Sequence, residues 1–116
     1  MHPPIGIILT SVDDASTAKS LARALIEQQL AACVQISPAG TSVYRWAKDN
    51  QESVVQESYE YYLSIKAPVE RCDEIIAWLE RQHPYDTPEI ITLSLQESSP
   101  HYLDWLAAST TTAGEA

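Results

Sequence analysis

A short segment from residue 83 to residue 89 concentrates side chains that could do chemistry. It reads His-Pro-Tyr-Asp-Thr-Pro-Glu, so an imidazole, a phenol and two carboxylates follow one another closely. The two prolines restrict the backbone and stiffen this connection. Neutral imidazole is a common ligand of transition metals, and carboxylates can complete such a site. The segment is therefore a candidate metal site built on His83, with Asp86 and Glu89 as helpers.

His83 also has a structural interpretation. A histidine at the end of a helix can hydrogen-bond the last carbonyl groups, and its protonated form is favoured by the negative end of the helix dipole. The residue types alone leave both interpretations of His83 open.

The sequence contains two cysteines, Cys33 and Cys72. They form no Cys-x-x-Cys motif, and neither has the spacing to a histidine that is typical of zinc fingers. Cys72 lies on the apolar stripe of a predicted helix and is expected in the core. Cys33 is either an inert thiol or a reactive, metal-binding one. An enzyme using Cys33 and His83 rests on residue types alone. Because no established catalytic or phosphate-binding motif occurs, we expect no enzymatic activity.

Composition and charge exclude several classes of protein. A chain of 116 residues with 45% hydrophobic residues can form one domain, here residues 1–116, without disulfides or a structural metal. The formal charge of −9 repels phosphate backbones and anionic lipids. The N-terminus lacks the basic residues of a secretory signal, and no apolar run is long enough to span a membrane. We expect a cytoplasmic protein that binds neither nucleic acid nor a membrane.

Hydrophobic patterning predicts the elements that position these residues. Strands are expected over residues 5–9, 34–46 with a bend at Pro38 and Gly40, 59–66 and 90–95; helices are expected over 14–31, 68–82 and from Pro100. The order β-α-β-β-α-β with a short C-terminal helix indicates an α+β fold of the ferredoxin-like, split βαβ type. The ordered core is expected over about residues 5–106, and the small polar residues 110–116 are expected to fray.

The strand over residues 59–66 has two distinct faces. Tyr59, Tyr61, Leu63 and Ile65 are assigned to the helices, and Glu60, Tyr62, Ser64 and Lys66 to the opposite face. That face, together with the open edges of the long strands, needs a cover. Association of several copies would supply it, with Glu60 and Lys66 in the interface.

Several segments, in order, resemble the CutA divalent-cation tolerance proteins. They are Leu-Ala-Ala-Cys-Val at 30–34, Ser-Val-Tyr-Arg-Trp at 42–46, Ile-Lys at 65–66, the 83–89 segment and Tyr-Leu-Asp-Trp-Leu at 102–106. The resemblance covers about residues 5–106. It implies a cytoplasmic, non-enzymatic homotrimer of ferredoxin-like subunits, similar in architecture to PII signalling proteins and linked to tolerance of copper and other divalent cations.

The resemblance also implies a cleft near the subunit interface and a metal role for His83 and Cys33. The cleft residues are Tyr44, Trp46, Glu60, Lys66, Tyr85, Glu89 and Trp105. Some members carry a cysteine and a second histidine, proposed as copper ligands, where this chain has Thr10 and Gln82. We therefore expect Cu²⁺ or another divalent cation to bind weakly, and no cofactor to be required. The family's Trp-x-Gly-Lys turn is also missing, so the hairpin loop over residues 47–53 has changed shape.

Two further hypotheses stand beside the cation-response trimer. One is a trimeric scaffold or PII-like module that binds a protein or small-molecule partner. The other is the small enzyme that uses Cys33 and His83.

Overall fold

The computed structural model describes residues 4–110, which form five strands and three helices. In chain order these are β1 (Ile5–Val12), α1 (Ala15–Glu27), β2 (Cys33–Ile36), β3 (Gly40–Trp46), β4 (Val54–Pro68), α2 (Val69–Gln82), β5 (Ile91–Leu95) and α3 (Pro100–Ser109). The predicted α+β class is confirmed. None of the helices within residues 4–110 is long and apolar enough to cross a membrane.

The sheet is built around the long strand β4. All strand pairs are antiparallel, and the order is β2-β4-β1-β5. Strand β3 pairs with the first part of β4, from Trp46 opposite Val54 to Gly40 opposite Glu60. The single bent strand expected over residues 34–46 is therefore two strands, β2 and β3, that share β4 as partner. We call β3 and residues 54–60 of β4 the arm.

Helices α1 and α2 cover one face of the sheet. Their buried residues pack with Ile8, Val12, Leu63 and Ile65 in the main core. Leu63 and Ile65 are almost fully buried, so their predicted orientation toward the helices is confirmed. The same prediction is wrong for Tyr59, which is 72% exposed, because it lies on the arm beyond the helices.

The ends of both core helices differ from the sequence-based expectation. Helix α1 stops at Glu27, not near Ala31, because Gln29 adopts a left-handed φ of 58°. The backbone N–H groups of Leu30 and Ala31 then donate to the Leu25 carbonyl oxygen. Pro68 is extended and precedes α2 as its N-cap, although the sequence suggested that it was the first helical residue.

Helix α3 covers only part of the opposite sheet face. Leu106 packs with Ile5 and Ala32 in a second, smaller core. Thr110, expected in the frayed tail, is buried. Its hydroxyl donates to the Leu106 carbonyl oxygen, and the Arg71 guanidinium donates to the Thr110 carbonyl oxygen. Helix α3 therefore continues past residue 106 to Ser109. The remainder of the predicted tail, residues 111–116, lies outside the described residues.

Candidate functional site

A cleft of about 630 Å³ opens between the arm, the C-terminal end of β1 and the connection from α2 to β5. It is lined by Ser11, Asp13, Ser42, Val43, Tyr44, Trp46, Ser58, Glu60, Tyr85, Asp86, Thr87 and Glu89. Five of the predicted cleft residues are therefore brought together: Tyr44, Trp46, Glu60, Tyr85 and Glu89. The antiparallel pairing of β3 and β4 positions the arm residues, and the stiff 83–89 segment supplies the opposite wall.

Glu60 forms the inner end of the cleft and is only 7% exposed. Its Oε2 atom accepts hydrogen bonds from the Ser11 hydroxyl at 3.0 Å and from the Tyr85 hydroxyl at 2.9 Å. Among the described residues, no group donates to Oε1. Burial, followed by the hydrogen bond to Glu60 and the nearby negative charge, raises the pKa of Tyr85. Tyr85 therefore remains a neutral hydrogen-bond donor.

His83 lies directly behind Tyr85 and is buried. The Tyr85 backbone N–H donates to Nδ1 at 3.1 Å, so in this arrangement the ring proton lies on Nε2. Nε2 in turn donates to the Ser11 carbonyl oxygen at 2.9 Å. Burial lowers the pKa of His83, while the Ser11 carbonyl and the carboxylates of Glu60 and Asp13 oppose that shift. Both ring nitrogens of the neutral histidine are therefore occupied.

The interpretation of His83 as a helix-ending residue is only partly supported. Its backbone N–H, not its ring, donates to the Leu79 carbonyl oxygen at the end of α2. The ring reaches across to β1 and packs edge-on against Tyr85, with 4.8 Å between the ring centroids. His83 therefore joins the helix end to the strand that forms the floor of the cleft.

Four predicted site residues do not line this cleft: His83, which lies behind Tyr85, and Cys33, Lys66 and Trp105, which lie farther away. Cys33 is opposite Lys66 in the β2–β4 pairing, and the Lys66 ammonium donates to the Gln35 side-chain oxygen at 2.6 Å. Trp105 packs against Tyr102 on α3. Lys66 is four residues along β4 from Tyr62, which is opposite Ser11, so about 13 Å of strand separates the two regions. Within one chain, Cys33 and His83 do not share a site.

The described residues of one chain do not fit a tight metal site. No group of three or more His, Cys, Asp and Glu side chains within residues 4–110 is arranged to hold a metal ion. The occupied nitrogens of His83 add to this misfit. A divalent cation would have to displace the Tyr85 N–H from Nδ1 to reach an imidazole lone pair.

Several cleft residues were missed by the sequence analysis. Ser11 was placed after the first strand because the apolar run ends at Leu9, whereas β1 continues to Val12 and Asp13 follows directly after it. Ser42 and Ser58 lie opposite each other on the arm. A polar extension of an apolar strand was the signal for Ser11, but the Ser42–Ser58 pair depends on a register that the local pattern does not reveal.

The chain is similar to known proteins over most of its length. A family model described as CutA1 divalent ion tolerance protein matches residues 6–109. The divalent-cation tolerance protein CutA of Thermus thermophilus is 36% identical over 104 residues, which cover 90% of this chain and 96% of the relative. The solved structure of CutA from Synechococcus elongatus has a TM-score of 0.85 at 36% identity, covering 96% of this chain and 95% of that one. CutA1 from Oryza sativa has a TM-score of 0.86 at 33% identity, with coverages of 97% and 98%.

Proposed function

Because the chain belongs to the CutA1 divalent ion tolerance family, we propose that it acts in the tolerance of copper and other divalent cations as a homotrimer of ferredoxin-like subunits. The connectivity supports the subunit fold, since α1 links β1 to β2 and α2 links β4 to β5 in an antiparallel sheet. The family is named for tolerance and not for a reaction, so the proposal contains no catalytic step.

The open sheet face is the observation that carries the trimer. Ile91, Leu93 and Leu95 on β5 are 37–49% exposed and lie on the same face as Ile7 and Leu9 of β1. Further large apolar side chains of the arm are exposed, among them Val43, Val55 and Tyr59. Exposed apolar surface in these two regions marks interaction sites, and association of identical chains removes it from water.

Light scattering coupled to size exclusion tests the assembly. The expected result is a mass three times the 12.9 kDa of one chain. A mass of one chain at micromolar concentration would overturn the trimer. The physiological role is tested separately by growth on copper: a strain that lacks the gene should be more sensitive, and the wild-type gene should restore tolerance. Unchanged growth of the deletion strain would overturn the role in tolerance.

Direct metal binding is proposed to be weak. A cation that uses His83 with help from Asp86 or Glu89 must first displace the Tyr85 N–H, and imidazole with carboxylates is a poorer copper site than thiolate or paired imidazoles. Cys33 contributes only if a neighbouring subunit brings it to His83. Calorimetry with Cu²⁺ should give a dissociation constant of about 1 μM or weaker for the wild type, and still weaker binding for His83→Ala. Equal binding by both proteins would remove His83 from the site.

We place this function in the cytoplasm. The support is chemical: Cys33 and Cys72 are both free thiols, as expected in a reducing compartment. Fractionation of the native host with an antibody against the chain tests this proposal. Recovery outside the cytoplasmic fraction would overturn it.

A further inference from the structure

The walls of the cleft carry negative charge only. Four carboxylates line it, those of Asp13, Glu60, Asp86 and Glu89, and no Lys, Arg or His is among the described lining residues. The whole chain adds to this field with its formal charge of −9. A concave surface of one sign concentrates ligands of the opposite sign, so the cleft is suited to cations.

Glu60 gives the cleft a specific anchoring point. More than nine-tenths of this residue is buried, and both hydrogen bonds from the protein reach Oε2. The other oxygen, Oε1, has no donor among the described residues. Oε1 is not among the buried unpartnered atoms of the described residues, so solvent reaches it from the cleft, and an ammonium group there would supply a charge-assisted hydrogen bond.

The size and the walls of the cleft favour an organic cation. A volume of about 630 Å³ is far larger than a bare metal ion needs, and the described His, Cys, Asp and Glu side chains form no metal-binding group. The rings of Tyr44, Trp46 and Tyr85 and the side chain of Val43 also line the space. Aromatic faces attract ammonium groups, and apolar walls accommodate methylene chains.

We propose that this cleft binds an aliphatic diamine or polyamine. One ammonium group donates to Oε1 of Glu60, and the remaining positive charge lies toward the exposed carboxylates of Asp86 and Glu89. The methylene chain packs against Tyr44 and Trp46. The proposal does not rest on the trimer or on copper binding, because one chain supplies every one of these residues, but it requires that neighbouring subunits of the proposed trimer leave the cleft open.

Calorimetry on the purified protein tests the class of ligand. The probes are 1,4-diaminobutane and spermidine, compared with uncharged 1,4-butanediol and with Mg²⁺ at matched ionic strength. Both amines should bind with one site per chain, and the diol and Mg²⁺ should bind at least about tenfold more weakly. Absence of amine binding, including the case in which a neighbouring subunit fills the cleft, would overturn the proposal. So would equal binding of the diol or of Mg²⁺.

Variants locate the site and separate it from general charge attraction. Glu60→Gln keeps the shape and a carbonyl acceptor for Ser11 and Tyr85 but removes the charge, so amine affinity should fall about tenfold. Glu89→Gln, at an exposed position, should lower it about threefold without disturbing the buried network. Glu27→Gln on α1, outside the cleft, removes the same charge and should stay within about twofold of wild type. Equal losses in Glu89→Gln and Glu27→Gln, or wild-type affinity in a folded Glu60→Gln, would show that the cleft is not the site.

Discussion

Ser11, Glu60, His83 and Tyr85 form one hydrogen-bonded group at the inner end of the cleft. Ser11 contributes twice, since its carbonyl oxygen accepts from His83 and its hydroxyl donates to Glu60. Tyr85 also contributes twice, through its backbone N–H to His83 and its hydroxyl to Glu60. His83 therefore orients Tyr85, and Tyr85 orients Glu60. At the residue scale, the histidine acts through its neighbours, whereas the glutamate offers a free oxygen to the cleft.

His83 should make the stability of the protein depend on pH. Burial lowers its pKa in the folded state, so the unfolded state, with a histidine pKa of about 6.5, binds more protons. The contribution to stability is therefore present above about pH 6.5 and is lost as the pH falls through the lowered folded-state pKa. We expect the free energy of unfolding to decrease from pH 7.5 to 5.5 by at most about 1.4 kcal/mol per pH unit from this residue.

The control for this pH effect is His83→Gln, which cannot titrate in that range. Denaturant melts of both proteins at one protein concentration should show a smaller decrease in the variant. An identical decrease in both would mean that other groups cause the pH dependence and that His83 contributes none of it.

At the element scale, the contact between β1 and α2 depends on the absence of a side chain at Gly6. A Cβ atom there would lie 2.6 Å from the Cys72 sulfur, on the buried stripe of α2. Gly6→Ala should destabilise the fold by about 1–3 kcal/mol, because this overlap outweighs the gain of up to about 1 kcal/mol from a stiffer unfolded chain. Denaturant melts measure the change.

A double-mutant cycle identifies the cause of that loss. Cys72→Ala removes the sulfur atom. In that background, Gly6→Ala should lower the free energy of unfolding by at least about 1 kcal/mol less than it does in the wild type. Cys33→Ala is the matched control, since Cys33 lies on β2 away from Gly6, and there the two effects should add. Additivity in the Cys72 pair would contradict a steric origin.

The elements show which features a local pattern can predict. Leu63 and Ile65 point toward the helices because alternation alone assigns their face. Tyr59 continues the same alternation but is exposed, because the extent of the helical cover is a tertiary property. The early end of α1 at Gln29 uses a left-handed residue that is not glycine, and its sequence gives no local sign of it.

The residues of the cleft were predictable only in part, because their proximity also depends on tertiary structure. The 83–89 segment and the aromatic residues of β3 stand out by composition, and the structure brings Tyr44, Trp46 and Tyr85 together. Whether Lys66 or Ser11 accompanies them depends on strand register between segments that are distant in the chain. Register is set by the whole sheet, so residue type and spacing alone could not tell whether Lys66 or Ser11 lies in the cleft.

At the scale of the whole molecule, the elongated shape follows from the arm. The chain measures 52 × 26 × 23 Å, and most of its exposed large apolar side chains lie along the arm and on the open face of β5. A single chain of this shape leaves much apolar surface in water. Its stability should therefore be linked to association, and the thermal midpoint should rise with protein concentration.

Leu93 on β5 and Ile26 on α1 provide a matched pair for testing that link. They are 48% and 41% exposed in one chain, so an aspartate at either position costs an isolated subunit little. In the proposed trimer, Leu93→Asp would place an unpaired charge in each interface, at a cost of roughly 3 kcal/mol or more per site. Light scattering should therefore report a loss of trimer mass and a lower thermal midpoint for Leu93→Asp, and wild-type behaviour for Ile26→Asp. If Leu93→Asp keeps the trimer mass, the open face of β5 is not the surface that joins the subunits.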